Sequence, residues 1–291
     1  MEGGSPLDRG GPLPTRSVRA WIGLGIVLGF TLAGLAAPAV NRHVLGQDCH
    51  HMPKLERPLV APGPGHPLGT DSLGRDLLAR LLCGARTSLA VGFGAESLAL
   101  LLGVAIGAWA GYAGGRTDAW MMRFTDIVLA FPFPLVAVAV VGLARTDSLL
   151  TVVLLLGALG WPAIARLVRA RLLSLREAGF VAAARAAGAG RIRVMIRHAL
   201  PAALAPAWAV AAVGIGSNIL AEAWLAFIGL GDPGRVSWGT ILRDAKDFAS
   251  TSTWWFPLFP GLFISITILG FMLLGDALQE GTDPHAATEL P

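Results

Sequence analysis

Charged side chains are scarce in this sequence. Asp, Glu, Lys and Arg together supply 14% of its 291 residues, where a soluble globular chain carries about a quarter. Too little polar chain is present to cover a water-facing surface, which argues against a soluble fold. Lysine occurs only at Lys54 and Lys246, and neither follows a glycine. A P-loop needs Gly-x-x-x-x-Gly-Lys-Ser/Thr because its lysine neutralises the β/γ-phosphates, so ATP hydrolysis by that device is excluded. Cysteine is limited to Cys49 and Cys83. No C-x-x-C metal frame exists, and whether the two cysteines pair is left open.

Long apolar runs are abundant instead: 54% of the chain is hydrophobic. Six runs have about the 18–25 residues that cross roughly 30 Å of hydrocarbon. Residues 21–40, 148–165, 202–221 and 256–275 are free of charge, while 87–113 carries only Glu96 and 124–144 only Asp126. The expected fold class is all-α, a polytopic membrane protein with about six transmembrane helices. The first run is too long for the apolar core of a cleavable signal, and no A-x-A site precedes a mature soluble domain. Net charge of +4 reports orientation in such a protein, rather than nucleic-acid binding.

Basic residues near the span ends set that orientation. Residues 166–200 hold eight of the 21 arginines against one acid, Glu177, so this block is expected in the cytoplasm. Counting spans outward puts both termini inside, with residues 41–86 and 222–255 outside. The 41–86 loop is itself basic, but its length makes it a weaker determinant. The expected organisation is a disordered cytoplasmic tail at 1–17, a first transmembrane helix at 18–40 and an extracytoplasmic loop at 41–86. A core of five transmembrane helices follows at 87–275, then a cytoplasmic tail at 276–291. Residues 53–75, rich in Pro and Gly, predict an irregular loop. Leucines at helical spacing in 76–86 predict a short helix on the membrane surface.

Within the basic block, Glu177 precedes an Ala-rich helix whose Phe180, Val181, Ala184 and Ala187 share one face. Gly188 stands where a helix ends in the left-handed conformation. A second helix is expected to place Ile192, Met195, Ile196 and Ala199 on one face, with Pro201 permitting a bend into the fifth span. Two readings follow: arginines on lipid phosphates, or a docking helix that a partner protein approaches over small side chains.

The block resembles the cytoplasmic signature of bacterial ABC importer permeases of the dipeptide/oligopeptide/nickel group, the DppC/OppC type. That signature reads EAA, three residues, Gly, nine residues, I-x-L-P. Here it runs Ala182-Ala183-Ala184, three residues, Gly188, nine residues, His198-Ala199-Leu200-Pro201. Ala182 stands for the usual Glu, and His198 for Ile. HPLGTDSLGRD (66–76), GARTSLAVG (84–92), DIVLAFP (126–132), LVRARLLSLRE (167–177), AEAWLAFIGLG (221–231), SWGTIL (237–242) and 258–284 are also similar to family segments, in family order.

The resemblance implies a type I importer permease fold in the bacterial inner membrane, and a non-catalytic subunit that forms half of a translocation pathway. Its partners would be a second homologous permease, two ABC ATPases that bind ATP and Mg, an extracytoplasmic substrate-binding protein, and lipid. No cofactor is expected on this chain. The cargo would be di- or oligopeptides, with nickel or another small solute as the alternative. ATPase coupling would fall to Phe180, Val181, Ala182, Ala183, Ala184, Arg185, Gly188, Arg191 and Pro201.

Polar groups at membrane depth are costly and serve as functional candidates. Glu96, Ser217, Asn218 and Glu222 are candidates for the pathway, or else tie spans together by hydrogen bonds. Gly214 and Gly216 fit close helix contact. In the loop, either Pro67, Gly69 and Gly74 simply make consecutive turns, or Asp71, Arg75 and Asp76 shape an outer feature for the binding protein or its cargo. Cys49, His50, His51 and Met52 are soft metal ligands, yet adjacent histidines cannot readily share one metal, so no metal site is assigned. An intramembrane serine hydrolase fits poorly: G-I-G-S (214–217) is followed by Asn218, and no histidine lies inside a span. A stand-alone carrier or channel would call for paired ionisable groups at mid-membrane, and only Glu96 comes close.

Overall fold

The computed structural model describes residues 15–43, 49, 57–144, 148–249 and 252–281. Their regular structure is helical, apart from two isolated bridges, Gly63–His66 and Thr70–Asp76. The elements are α1 (Thr15–His43), α2 (Leu77–Ala113), α3 (Gly115–Ala130), α4 (Phe133–Ala144), α5 (Leu149–Leu175), α6 (Gly179–Ala186), α7 (Arg191–Val194), α8 (Leu200–Phe227), α9 (Trp238–Ala245) and α10 (Trp255–Gly281).

Five unbroken helical stretches are long and apolar enough to cross a membrane. The third apolar run is different: α3 and the following helix meet at 82°. The break lies at Phe131-Pro132. Proline disfavours a helical residue before it, and Phe131 is extended (φ −82, ψ 127). The new helix restarts on the Pro132 carbonyl, which accepts from Leu135 and Val136.

No separate surface helix occupies 76–86. Asp76 caps α2, its Oδ1 accepting from the Ala79 N–H at 2.9 Å, as N-terminal donors require. Residues 77–86 are therefore the first turns of a 37-residue helix, and Leu77 and Leu81 are fully buried. The helix stops at Gly114, whose φ of +63 an L-residue resists. Helix α5 likewise outruns its apolar core, carrying Arg166, Arg169 and Arg171 to its far end. At the chain ends, α1 starts inside the expected 1–17 tail and α10 continues through Gly281 into the expected 276–291 tail. Residues 1–14 and 282–291 lie outside the described residues.

The helices run between two ends of the bundle: an arginine-rich end, and a loop end formed by residues 57–76 and α9. At the loop end, Leu77, Leu81, Trp238, Ile241, Phe256 and Ile264 form a core joining α2, α9 and α10. At the arginine-rich end, Ile164, Val168 and Leu172 of α5 pack with Ala203 and Ala207 of α8. Helices α2 and α5 approach to backbone contact along Gly103, Gly107 and Gly111, spaced by four. A Cβ on Gly107 would lie 2.4 Å from the Ala165 carbonyl oxygen. Without a hydrophobic drive between helices in lipid, such close packing holds them together. Trp21, Leu101, Trp120, Leu135 and Leu143 are exposed on the outside, as a lipid-facing or subunit-facing surface requires.

Candidate functional site

At the arginine-rich end, α6 projects from the bundle and closes on itself. The Gly188 N–H donates to the Arg185 carbonyl at 3.0 Å and the Ala189 N–H to that of Ala184 at 3.1 Å. This is the paired pattern of a Schellman stop, with Gly188 left-handed at φ +82. Val181 alone on α6 is buried. It enters a small cavity walled by Gly111, Tyr112, Leu172, Val194 and Ala199. Phe180, Ala182, Ala183, Arg185 and Gly188 are exposed, and Ala184 is half-buried. The helix is thus held by one apolar peg and presents small side chains, a phenyl ring and a guanidinium outward.

Beyond Gly188 the second helix differs from expectation. Met195–Ala199 form a π-helical turn that continues into α8 as one helical stretch, and the Leu200 N–H reaches back to the Met195 carbonyl. The wider turn absorbs Pro201, whose ring would clash in a regular helix. It also rotates the buried face. Val194 and Ala199 are buried, Met195 is half-buried, and Ile192 and Ile196 are exposed. Arg191 lies on α7, its side chain outside the described set.

The pathway candidates divide into two groups. Asn218 Nδ2 donates to Glu96 Oε2 at 2.9 Å, linking α8 to α2 at depth, and both residues are buried. A Cβ on Gly214 would lie 2.3 Å from that carboxylate oxygen, so this glycine makes room for the acid. Gly216 packs against Ile268 and Phe271 of α10. Ser217 is exposed, its hydroxyl donating to the Val213 carbonyl. Ser217, Asn218 and Gly160 line two adjoining open cavities. One, of about 520 Å³, is walled by the broken α3–α4 corner at Phe131-Pro132. The other, of about 360 Å³, is walled by Glu96 and Gly214. Together they form a groove along α8, from the broken corner towards the arginine-rich end. Glu222 lies elsewhere. It is buried at the loop end and accepts from Ser88 Oγ at 3.1 Å, and Ser88 Oγ accepts from the Trp238 N–H. That chain ties α9 to α2 and α8.

The loop candidates form a clamp. Asp71 is wholly buried. It accepts from the N–H groups of Leu73 and Arg75, from Arg75 Nε at 2.6 Å and from Arg80 Nη1 at 2.7 Å. Asp76 receives His66 Nδ1 at 2.8 Å beside its capping bond. Gly69 is left-handed (φ +79), and a Cβ there would meet the Val60 carbonyl and the Trp255 ring. Gly69, Asp71 and Asp76 thus all take part in building the turns and the α2 cap. Arg80 and Asp244 escape sequence reasoning, because the second partner lies 164 residues away. Likewise, Asp118 on α3 pairs with Arg169 on α5, and Asp126 with Arg166. Cys49 and Cys83 form a disulfide. His50, His51 and Met52 lie outside the described residues.

Residues 103–287, covering α6, the π turn and the groove wall apart from Glu96, match the family model of the binding-protein-dependent transport system inner membrane component. The chain belongs to this family. It is 38% identical to the dipeptide transport system permease protein DppC of Alkalihalophilus pseudofirmus, covering 91% of this chain and 85% of that protein. It is 35% identical to the oligopeptide permease OppC of Bacillus subtilis, over 91% and 85% of the two chains. Identity to the nickel permease NikC of Escherichia coli K12 is 37%, over 79% and 83%. Among solved structures, the MetNI methionine ABC transporter in an inward-facing conformation matches with a TM-score of 0.54 at 18% identity. That match covers 69% of this chain and 94% of the other, and it shows the fold of an ABC importer permease. The permease is accordingly a multi-pass membrane protein.

Proposed function

We propose that this permease forms one half of the pathway of an ATP-driven importer for di- or oligopeptides, and that it draws its energy from separate ATPases through α6. The observation that carries the reading is the form of α6: eight residues fixed by Val181 and a glycine stop, with Phe180, Ala182, Ala183 and Arg185 facing outward. A helix so presented suits the groove of a partner, and small side chains let that partner approach closely. Closure of two ATPases on ATP and Mg²⁺ would move α6, and the π turn would pass that movement into α8, the groove wall. The chain itself carries no chemical step. Its other partners are a second permease that closes the open groove, and an extracytoplasmic binding protein that delivers cargo at the loop end. Both termini face the cytoplasm on this reading. Similarity to DppC and OppC supports peptide as cargo, and similarity to NikC supports nickel as the second reading.

Affinity purification of the tagged permease should recover an ATPase and a second permease. The reconstituted complex should take up peptide into proteoliposomes only with ATP and binding protein. ATP-independent uptake by the chain alone would overturn the assignment.

A further inference from the structure

One carboxylate in the bundle interior faces a space large enough for cargo. Glu96 lines the 360 Å³ cavity, is 6% exposed and accepts one hydrogen bond, from Asn218. Among the described residues no arginine, lysine or histidine pairs with it. The contrast with the other buried acids is informative. Asp71 and Asp76 each face a basic group. Glu222 meets the Ser88 hydroxyl beside α9, away from the groove.

The surroundings of Glu96 are shaped to leave it reachable. Gly214 lies where any side chain would strike its oxygens, and Gly160 of α5 lines the same cavity where it packs against Ala99 of α2. The amide that Asn218 offers is neutral, so the carboxyl oxygens retain unused accepting capacity. The Asn218 carbonyl and Ser217 hydroxyl add acceptors to the same wall, which is otherwise mostly apolar. A place rich in acceptors, without a resident cation, complements a cationic donor. A buried carboxylate left unpaired is costly, and a passing cation relieves that cost for as long as it stays.

On the reading that this chain lines the pathway of an importer, we propose that Glu96, with Ser217 and Asn218, is the step in the groove that receives the cationic group of the cargo. For a peptide, that group is the free α-ammonium. For a metal cargo, it is the divalent ion.

The experiment uses the full complex in proteoliposomes with its binding protein and ATP. Uptake of a dipeptide and of Ni²⁺ is measured for the wild type, Glu96→Gln and Glu96→Asp, beside ATP hydrolysis stimulated by the loaded binding protein. Glu96→Gln keeps the size and the Asn218 contact but removes the charge. Its uptake of whichever cargo the wild type carries should fall about tenfold, the order expected when a charged hydrogen bond is lost. Stimulated hydrolysis should persist, and Glu96→Asp should recover part of the uptake. Undiminished uptake by Glu96→Gln overturns the proposal while leaving the importer reading intact. Absence of ATP-driven uptake of either cargo by the wild type overturns both.

Should Glu96→Gln fail to assemble, Ser217→Lys decides, because Ser217 is exposed. An ammonium planted beside Glu96 should depress uptake at least about fivefold more than the uncharged Ser217→Met, since like charge repels the cargo's cation. Equal effects of lysine and methionine would overturn the proposal.

Discussion

Arg80, at the start of α2, donates from Nη1 to Asp71 at 2.7 Å and from Nη2 to Asp244 at 2.9 Å. One buried guanidinium thereby joins the 57–76 loop to α9 through the helix between them. Arg75 reinforces the join from the loop side. Losing Arg80 leaves the buried Asp71 with Arg75 as its remaining ion-pair partner and takes a charged donor from both Asp71 and Asp244, a loss of about 1.5–3 kcal/mol for hydrogen bonds to charged groups. Arg80→Met should therefore lower the thermal unfolding midpoint of the purified complex far more than Arg75→Met, because the Arg75 side chain is 20% exposed. Adding Asp71→Asn to Arg80→Met should recover part of the loss. Equal midpoints for the two single variants would show that the clamp is not held by Arg80.

The contact of α2 with α5 rests on backbone approach at Gly107. A methyl group there meets the carbonyl oxygen and Cα of Ala165, and neither can swing aside. Gly107→Ala should cost about 1–3 kcal/mol by overpacking. Gly29→Ala on α1, where nothing lies within 4 Å, should be neutral or slightly stabilising through helix propensity. Unfolding midpoints of the two variants in one detergent check this, and a neutral Gly107→Ala would mean that the helices separate without penalty.

The Cys49–Cys83 disulfide ties a residue beyond α1 to the second turn of α2. Disulfides persist in oxidising compartments, so its position supports the proposed placement of the loop end outside the cytoplasm. After reduction, a membrane-impermeant maleimide should label Cys49, the more exposed of the two, from the extracytoplasmic face. Labelling confined to inverted vesicles would reverse the orientation of the whole chain.

Much of this was readable from sequence. Long apolar runs reveal spans because length and lack of charge are local properties, and the Gly188 stop was legible because a left-handed helix end favours one residue type. The 82° corner was missed because length and apolarity over 124–144 read as a single span, and neither property registers a change of direction at Phe131-Pro132. Gly103, Gly107 and Gly111 carried a spacing of four that marks close helix contact, though only the structure names α5 as the partner. The surface helix at 76–86 failed as an expectation because the burial of Leu77 and Leu81 depends on α9 and α10, which lie far along the chain, while the local Asp76 cap suits a short or a long helix alike. The same distance hid Asp244 from Arg80. The π turn left no mark beyond Pro201.

Coupling through α6 depends on the direction in which Gly188 sends the chain. At φ +82 an L-side chain is strained, and nothing lies within 4 Å of a Cβ there, so the penalty of a substitution is conformational and not steric. A β-branched residue resists this region most strongly, at about 1–3 kcal/mol, and relieves the strain by letting the paired stop at Ala184 and Arg185 unwind. Gly188→Val should therefore leave membrane insertion intact while tilting α6 away from its seat at Val181. Stimulated ATP hydrolysis and uptake should both fall, on the order of tenfold if that 1–3 kcal/mol is lost from the docked state. Gly190→Val, two residues on, should change both far less: Gly190 is exposed, its φ is not positive, and a Cβ there meets nothing within 4 Å. Paired assays of the two variants in proteoliposomes separate a requirement for this particular turn from a general sensitivity of the segment. If Gly188→Val couples normally, the α6 stop is dispensable and the ATPases must act through another surface.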